Sequence, residues 1–237
     1  MKEFQQKTRP QLSHFKDNIN SPNMKKIAII GAGGFGREVK TLIDQINAVT
    51  PKYEFIGYYD DGKEKGTLIN TFPVLGKVSD LNSLTGEISV ALALGNPVYK
   101  KNVVTLIDNQ NISFETLIHP SVIMGSDEVS IGIGAVICAG CILTCNISIK
   151  DYVTLNLACT IGHDTILENY VSLMPAVNVS GEVVLEEAVY VGTGAKIINQ
   201  VSIGKNTTIG AGAVVSKSIP EHCTAVGIPA KPIKFHS

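Results

Sequence analysis

The chain has 237 residues, with 20 basic and 21 acidic side chains and a net charge of −1. Charged residues make up 17% and apolar ones 44%, aromatics only 6%, and tryptophan is absent. Near-neutrality excludes a nucleic-acid polymer or an anionic membrane surface as the partner, and no apolar run approaches the ~18 residues of a membrane span. A core so poor in rings must be filled by Ile, Val, Leu and Ala, which favours strands. The length suffices for a real core without disulfide or metal staples.

Residues 1–23 are polar, contain Pro10 and Pro22, and read as a flexible arm. They have no apolar stretch of the signal-peptide kind, and the cysteine count is odd, so a reducing cytoplasm is expected. Residues 24–116 alternate strand and helix signals. Lys26–Ile30 suits a buried strand, and Phe35 to Asn47 carries Val39, Leu42, Ile43 and Ile46 on one helical face. Glu54–Tyr59 reads as a second strand closed by Asp60-Asp61-Gly62. Ile88–Leu94 reads as another strand, before Gly95-Asn96-Pro97 and a helical stretch from Tyr99 to Asn109. Strands alternating with helices imply a small, Rossmann-like parallel sheet.

From Ile131 the pattern changes to blocks of six. Fifteen successive first positions, from Ile131, Ile137 and Leu143 to Ile209 and Val215, are all Leu, Ile or Val. Fifth positions are small or β-branched, among them Ala135, Cys141, Val153, Cys159 and Ile219. One hexad is a short strand plus a turn, and three hexads close a triangular coil. First-position side chains then point inward and stack every 18 residues, which predicts a parallel β-helix of five coils over 117–221, led in by His119-Pro120. Residues 222–237 read as a C-terminal tail.

The hexads, the closing Gly227-Ile228-Pro229-Ala230-Lys231 and the leading strand–GAGGFGRE–helix together resemble one family. It is that of the bacterial hexapeptide acyltransferases of the sialic-acid O-acetyltransferase type, including N-acetyltransferases of nucleotide-linked 4-amino-sugars. The resemblance implies a left-handed β-helix, a homotrimer, acetyl-CoA between neighbouring β-helices and a nucleotide-sugar on the α/β domain. It implies His163 as general base with Asp164 beside it, and Gly181, one coil later, near the oxyanion. Histidine suits such proton transfer. Adjacent residues of a strand face opposite ways, so the pair can meet only where the chain bends. Asn156 resembles a family asparagine near the histidine of a neighbouring chain. Ser172 stands where several members have a second histidine, and its hydroxyl is expected to replace that donor near the acetyl group.

Small residues at later turns, Gly192-Thr193-Gly194 and Gly210-Ala211-Gly212, offer a track for the pantetheine arm. The resemblance implies Ala230-Lys231 near the CoA nucleotide, with Lys231 at a phosphate. Gly31-Ala32-Gly33-Gly34-Phe35-Gly36 satisfies G-x-G-x-x-G between strand and helix, a phosphate cradle. A domain of about ninety residues holds one mononucleotide half rather than two. The family resemblance then implies a nucleotide-sugar pyrophosphate at Gly33, Gly34, Phe35, Gly36 and Arg37. Asp60 and Asp61 are expected at the base or ribose, and Gly95 and Asn96 at the same sheet edge. Cys141 and Cys159, one coil apart, should stack inside as apolar fillers, so no metal is expected. The function expected is acetyl transfer from acetyl-CoA to a nucleotide-linked amino-sugar, with O-acetylation of a sialic acid as the alternative.

Overall fold

A computed structural model describes residues 24–236. The expected N-terminal arm lies outside the described residues. The chain forms β1 (Lys25–Ile30), α1 (Gly34–Val49), β2 (Tyr53–Tyr59), β3 (Leu68–Ile69), β4 (Phe72–Gly76), β5 (Ile88–Leu92), α2 (Pro97–Leu106) and β6 (Ile112–Phe114). The sheet order is β3-β4-β2-β1-β5-β6. All neighbours are parallel except β3, which is antiparallel to β4. The central strand β1 is fully buried from Ile27 to Ile30, and α1 covers the sheet with Val39, Leu42 and Ile43. The edge strands β3 and β6 carry too few residues for a periodic signal, and with the Pro73-containing β4 they escaped the sequence reading. Helix α2 starts and stops earlier than its apolar pattern suggests. Asn96 caps it by accepting from the Val98 and Tyr99 amides, and Pro97 occupies the first turn.

The β-helix begins with Leu117–Ile118 and has three faces of parallel two- to four-residue strands. Face one runs through Leu117–Ile118, Val136–Ile137, Thr154–Leu155, Ser172–Leu173, Tyr190–Val191, Thr208–Ile209 and Cys223–Val226. Face two runs from Ile123–Met124 to Val214–Val215, and face three from Val129–Ile131 to Ser202–Ile203. These make six turns, not the five expected, and a last strand. The extra turn is the first one. Ile118 pairs with Ile137 and Met124 with Leu143, a step of 19, whereas Ile131 pairs with Ile149, a step of 18. One added residue in the corner before Ile131 breaks the hexad phase, so the turn that uses it is invisible to a strict period of six. The other end departs too. Ile219 bridges to Ile203 and thereby takes a first-position place, because its corner is two residues short. The segment expected as a tail is built in, with Lys231–Phe235 antiparallel to Cys223–Val226.

First- and fifth-position side chains form one continuous core, with Leu155, Cys159, Leu173, Val189 and Val191 all at 0% exposure. Fourth positions from Gly134 to Gly212 turn the corner in the left-handed region, whatever their residue type: Asn146, Tyr152, Ala158, Asp164, Tyr170 and Ala176 all have positive φ. The α/β domain sits on the outer surface of face one. Val136 and Cys138 share a buried cluster with Ile27, Val39 and Ala91. Phe114 meets Tyr152 edge-on at 5.2 Å, and Tyr152 stacks on Tyr170 at 5.1 Å.

Candidate active site

His163 and Asp164 lie in the corner between faces two and three, about half exposed. Asp164 is the fourth residue of its hexad, with φ of +56°. That left-handed corner turns its carboxylate back along the chain. His163 Nδ1 and Asp164 Oδ2 are therefore 2.7 Å apart, although the residues are adjacent. Asn146, one turn earlier, donates to the other carboxylate oxygen at 3.0 Å. The bonds from His163 and Asn146 hold the Asp164 carboxyl below its ordinary range. The carboxylate thus selects the tautomer with hydrogen on Nδ1 and leaves Nε2 to accept a proton.

The imidazole lies against Gly181. A Cβ at that position would stand 2.5 Å from Nε2 and Cε1. The space expected there for a thioester is filled by the ring itself, which explains the glycine by close approach. The Gly181 N–H has no hydrogen-bond acceptor among the described residues. It is available beside the ring as an oxyanion donor.

The other expected residues separate into distinct regions. Asn156 is buried at the corner between faces one and two, where its Oδ1 accepts from Leu157 N at 2.7 Å. Gly192, Gly194, Ala211 and Gly212 stack at that same corner in later turns, where the Gly212 amide donates to the Thr193 carbonyl at 2.8 Å. Ala230 is bonded to Val214 O at 2.8 Å, and Lys231 opens the last strand. None of these shares a corner with His163 in one chain. Ser172 is a correction. It is 0% exposed inside the interface with the α/β domain, bonded to Lys100, and reaches no solvent-facing ligand. Cys141 and Cys159 stack in the interior as expected, donating to the carbonyls of Asn156 and Met174.

On the α/β domain, a cavity of about 720 Å³ opens at the carboxyl edge of the sheet. Gly31, Asp60, Asp61 and Gly62 line one wall, and Tyr99, Asn102, Val103 and Leu106 of α2 line the other. Both aspartates are partly engaged: Asp60 accepts from the Ala32 and Gly62 amides, and Asp61 from Val78 N at 2.8 Å. The glycine loop divides by role. Gly36 is buried against the Gly31 carbonyl, so its part is tight packing of helix on turn. Gly33 and Gly34 face open space at the uncapped start of α1, with Phe35 half-buried behind them and Arg37 exposed. Their free amides form an anion cradle. A Cβ added at Gly95 would stand 3.8 Å from Met174 Cε of the β-helix, while Asn96 is occupied as the cap of α2.

Lys100 was missed by sequence reading. It is fully buried, and its Nζ donates to Tyr152 O at 2.8 Å, Thr154 Oγ1 at 2.8 Å and Ser172 Oγ at 2.9 Å. Burial pushes its pKa down to about 7. A lysine beside Lys101 on a surface helix carries no signal of such burial.

Residues 26–107 match the PglD N-terminal domain, and residues 182–217 match the bacterial transferase hexapeptide model of six repeats. The acetyltransferase domain of PglB from Neisseria gonorrhoeae is 32% identical, with a TM-score of 0.79 over 88% of this chain and 100% of that one. The chain belongs to the hexapeptide-repeat acetyltransferases with a PglD-type N-terminal domain. WeeI from Acinetobacter baumannii is equally similar, 32% identical with a TM-score of 0.80 over 89% and 100% of the two chains. PerB from Caulobacter crescentus, solved with CoA and GDP-perosamine, is 26% identical with a TM-score of 0.76 over 88% and 97%. No curated protein sequence matches the chain. No helix of the described residues is long and apolar enough to cross a membrane.

Proposed function

We propose that the chain transfers the acetyl group of acetyl-CoA to the 4-amino group of a nucleotide-linked deoxyamino-sugar, in the cytoplasm, for surface glycan assembly. The observation that carries this reading is the 720 Å³ cavity at the carboxyl edge of the parallel sheet, beside the open amides of Gly33 and Gly34. A sialic acid acceptor has no nucleotide to place there. The PglB domain was solved with acetyl-CoA and PerB with CoA and GDP-perosamine, which supports the pairing of donor and acceptor.

In this mechanism the neutral amine attacks the thioester carbonyl while His163 Nε2 takes its proton. Asp164 stabilises the imidazolium through Nδ1, and the Gly181 N–H receives the oxyanion. Collapse expels the CoA thiolate, which the imidazolium protonates. Orienting two bound substrates supplies most of the acceleration. The donor would lie along Gly192, Gly194, Ala211 and Gly212, with Lys231 at its phosphates.

The working unit is a homotrimer. Face one carries the α/β domain, while His163 stands at the corner opposite that face. A sugar held by one chain therefore meets the histidine of its neighbour, next to its own Asn156. The test is release of CoA from acetyl-CoA with a panel of UDP-, dTDP- and GDP-linked 4-amino-sugars. One substrate should turn over to a product that resists hydroxylamine, as an amide does and an ester does not. No turnover across the panel overturns the reading.

A further inference from the structure

Helix α2 has two jobs in one span. Tyr99, Asn102, Val103 and Leu106, spaced as one helical face, wall the nucleotide-sized cavity. Lys100, on another face, enters the β-helix surface, where three acceptors on two successive turns, Tyr152 O, Thr154 Oγ1 and Ser172 Oγ, meet its three hydrogens. An ammonium has three donors and no acceptor, so this cradle is complete. No carboxylate takes part in it. A surface ion pair would be mobile and solvated, whereas Lys100 is at 0% exposure. The second link between α2 and the coils, Lys101 to Glu187 at 2.5 Å, is exposed and adds little to the fixing of orientation.

We propose that Lys100 is a positioning residue for the transfer reaction, locking the wall of the acceptor cavity to the face-one coils so that bound sugar is delivered at a fixed height along the β-helix. This rests on the acetyltransfer reading above. The reaction is sensitive to that height, because effective molarity collapses when reacting groups are displaced by about an ångström. Nucleotide affinity is not, since the cavity is lined by the α/β domain alone. Losing the lock should therefore lower kcat and spare both substrate affinities.

The experiment uses two variants of the full chain. Lys100→Met leaves the Thr154 and Ser172 hydroxyls buried without their donor, and folding itself can suffer. Lys100→Met/Thr154→Val/Ser172→Ala removes the ammonium and both hydroxyls together, so that of the three acceptors only the Tyr152 main-chain carbonyl is left without its donor. In the triple variant, kcat should fall at least ten-fold, with KM for acetyl-CoA and the Kd of the free nucleotide within two-fold of the parent. A kcat within two-fold of the parent overturns the proposal, and so does a loss confined to nucleotide affinity. Hydrogen exchange of the Lys100–Leu106 amides in ligand-free protein gives a readout that needs no substrate. It should accelerate at least ten-fold in Lys100→Met while the β-helix core stays protected, and unchanged exchange also overturns the proposal. If the parent turns over no sugar on the panel, the functional reading fails by itself, and exchange still decides the lock.

Discussion

At the residue scale, the proposed chemistry rests on a corner. A histidine followed by an aspartate is an ordinary dipeptide, and on a strand the two would face apart. Here the fourth hexad position is left-handed, so Asp164 doubles back to 2.7 Å from His163. His163→Ala should lower turnover by about 10²–10⁴-fold and leave thermal stability unchanged, because the side chain is half exposed and packs on little. Gly181→Ala should lower kcat by a comparable factor, since its methyl displaces the ring; a steady-state assay beside thermal unfolding checks both. Lys100 makes a prediction about pH. Its folded pKa of about 7 lies below the ~10.4 of an unfolded lysine, so between those values the unfolded chain holds the extra proton. Stability must then rise with pH across that window, by up to about 1.4 kcal/mol per pH unit, and be flat below it. Measured at pH 6, 8 and 9.5, the urea midpoint of the parent should rise relative to that of Lys100→Met, whatever the offset between the two at pH 6.

At the element scale, the β-helix is held by repetition of a small unit with one awkward position. Each corner puts a residue at positive φ, which costs a side-chain-bearing residue roughly 1 kcal/mol relative to glycine. Ala176 has φ of +59° and an exposed methyl, so glycine there removes strain and loses no packing. Ala176→Gly should raise the unfolding midpoint by about 2–4 °C, read by calorimetry. The hexad period made faces one to three legible from Ile131 onward, because an aliphatic first position is required at every coil. It failed at both ends. The seven-residue step from Met124 to Ile131 and the shortened corner before Ile219 both keep the side chains inward while breaking the count. In the α/β domain the long elements β1, α1, β2 and β5 were readable, whereas two- and three-residue edge strands exist only through their neighbours.

At the scale of the whole molecule, the two chemical regions of one chain face apart. If the site is shared between chains, inactive variants damaged in different halves should complement each other. Gly33→Glu places a carboxylate in the anion cradle without steric cost, since nothing lies within 4 Å of its Cβ position. Co-expressed with His163→Ala chains, it should restore about a quarter of parental activity, the fraction of interfaces with both halves intact in a random trimer. Purified separately, each should remain inactive. Co-expression that recovers nothing would place cavity and histidine in the same chain.

Repeating inward aliphatics and a glycine turn between strand and helix are local requirements, so the sequence by itself determined both domains, the β-helical core and the residues worth testing. Reach is not local. Only the tertiary structure decided that Asp164 bends back to His163, that Gly181 is filled by the imidazole, and that Ser172 is sealed in an interface. It alone brought Lys100 to Thr154 and Ser172, 54 and 72 residues away along the chain. Those contacts follow from which corner each residue turns and which face the α/β domain covers, and neither leaves a period in the sequence.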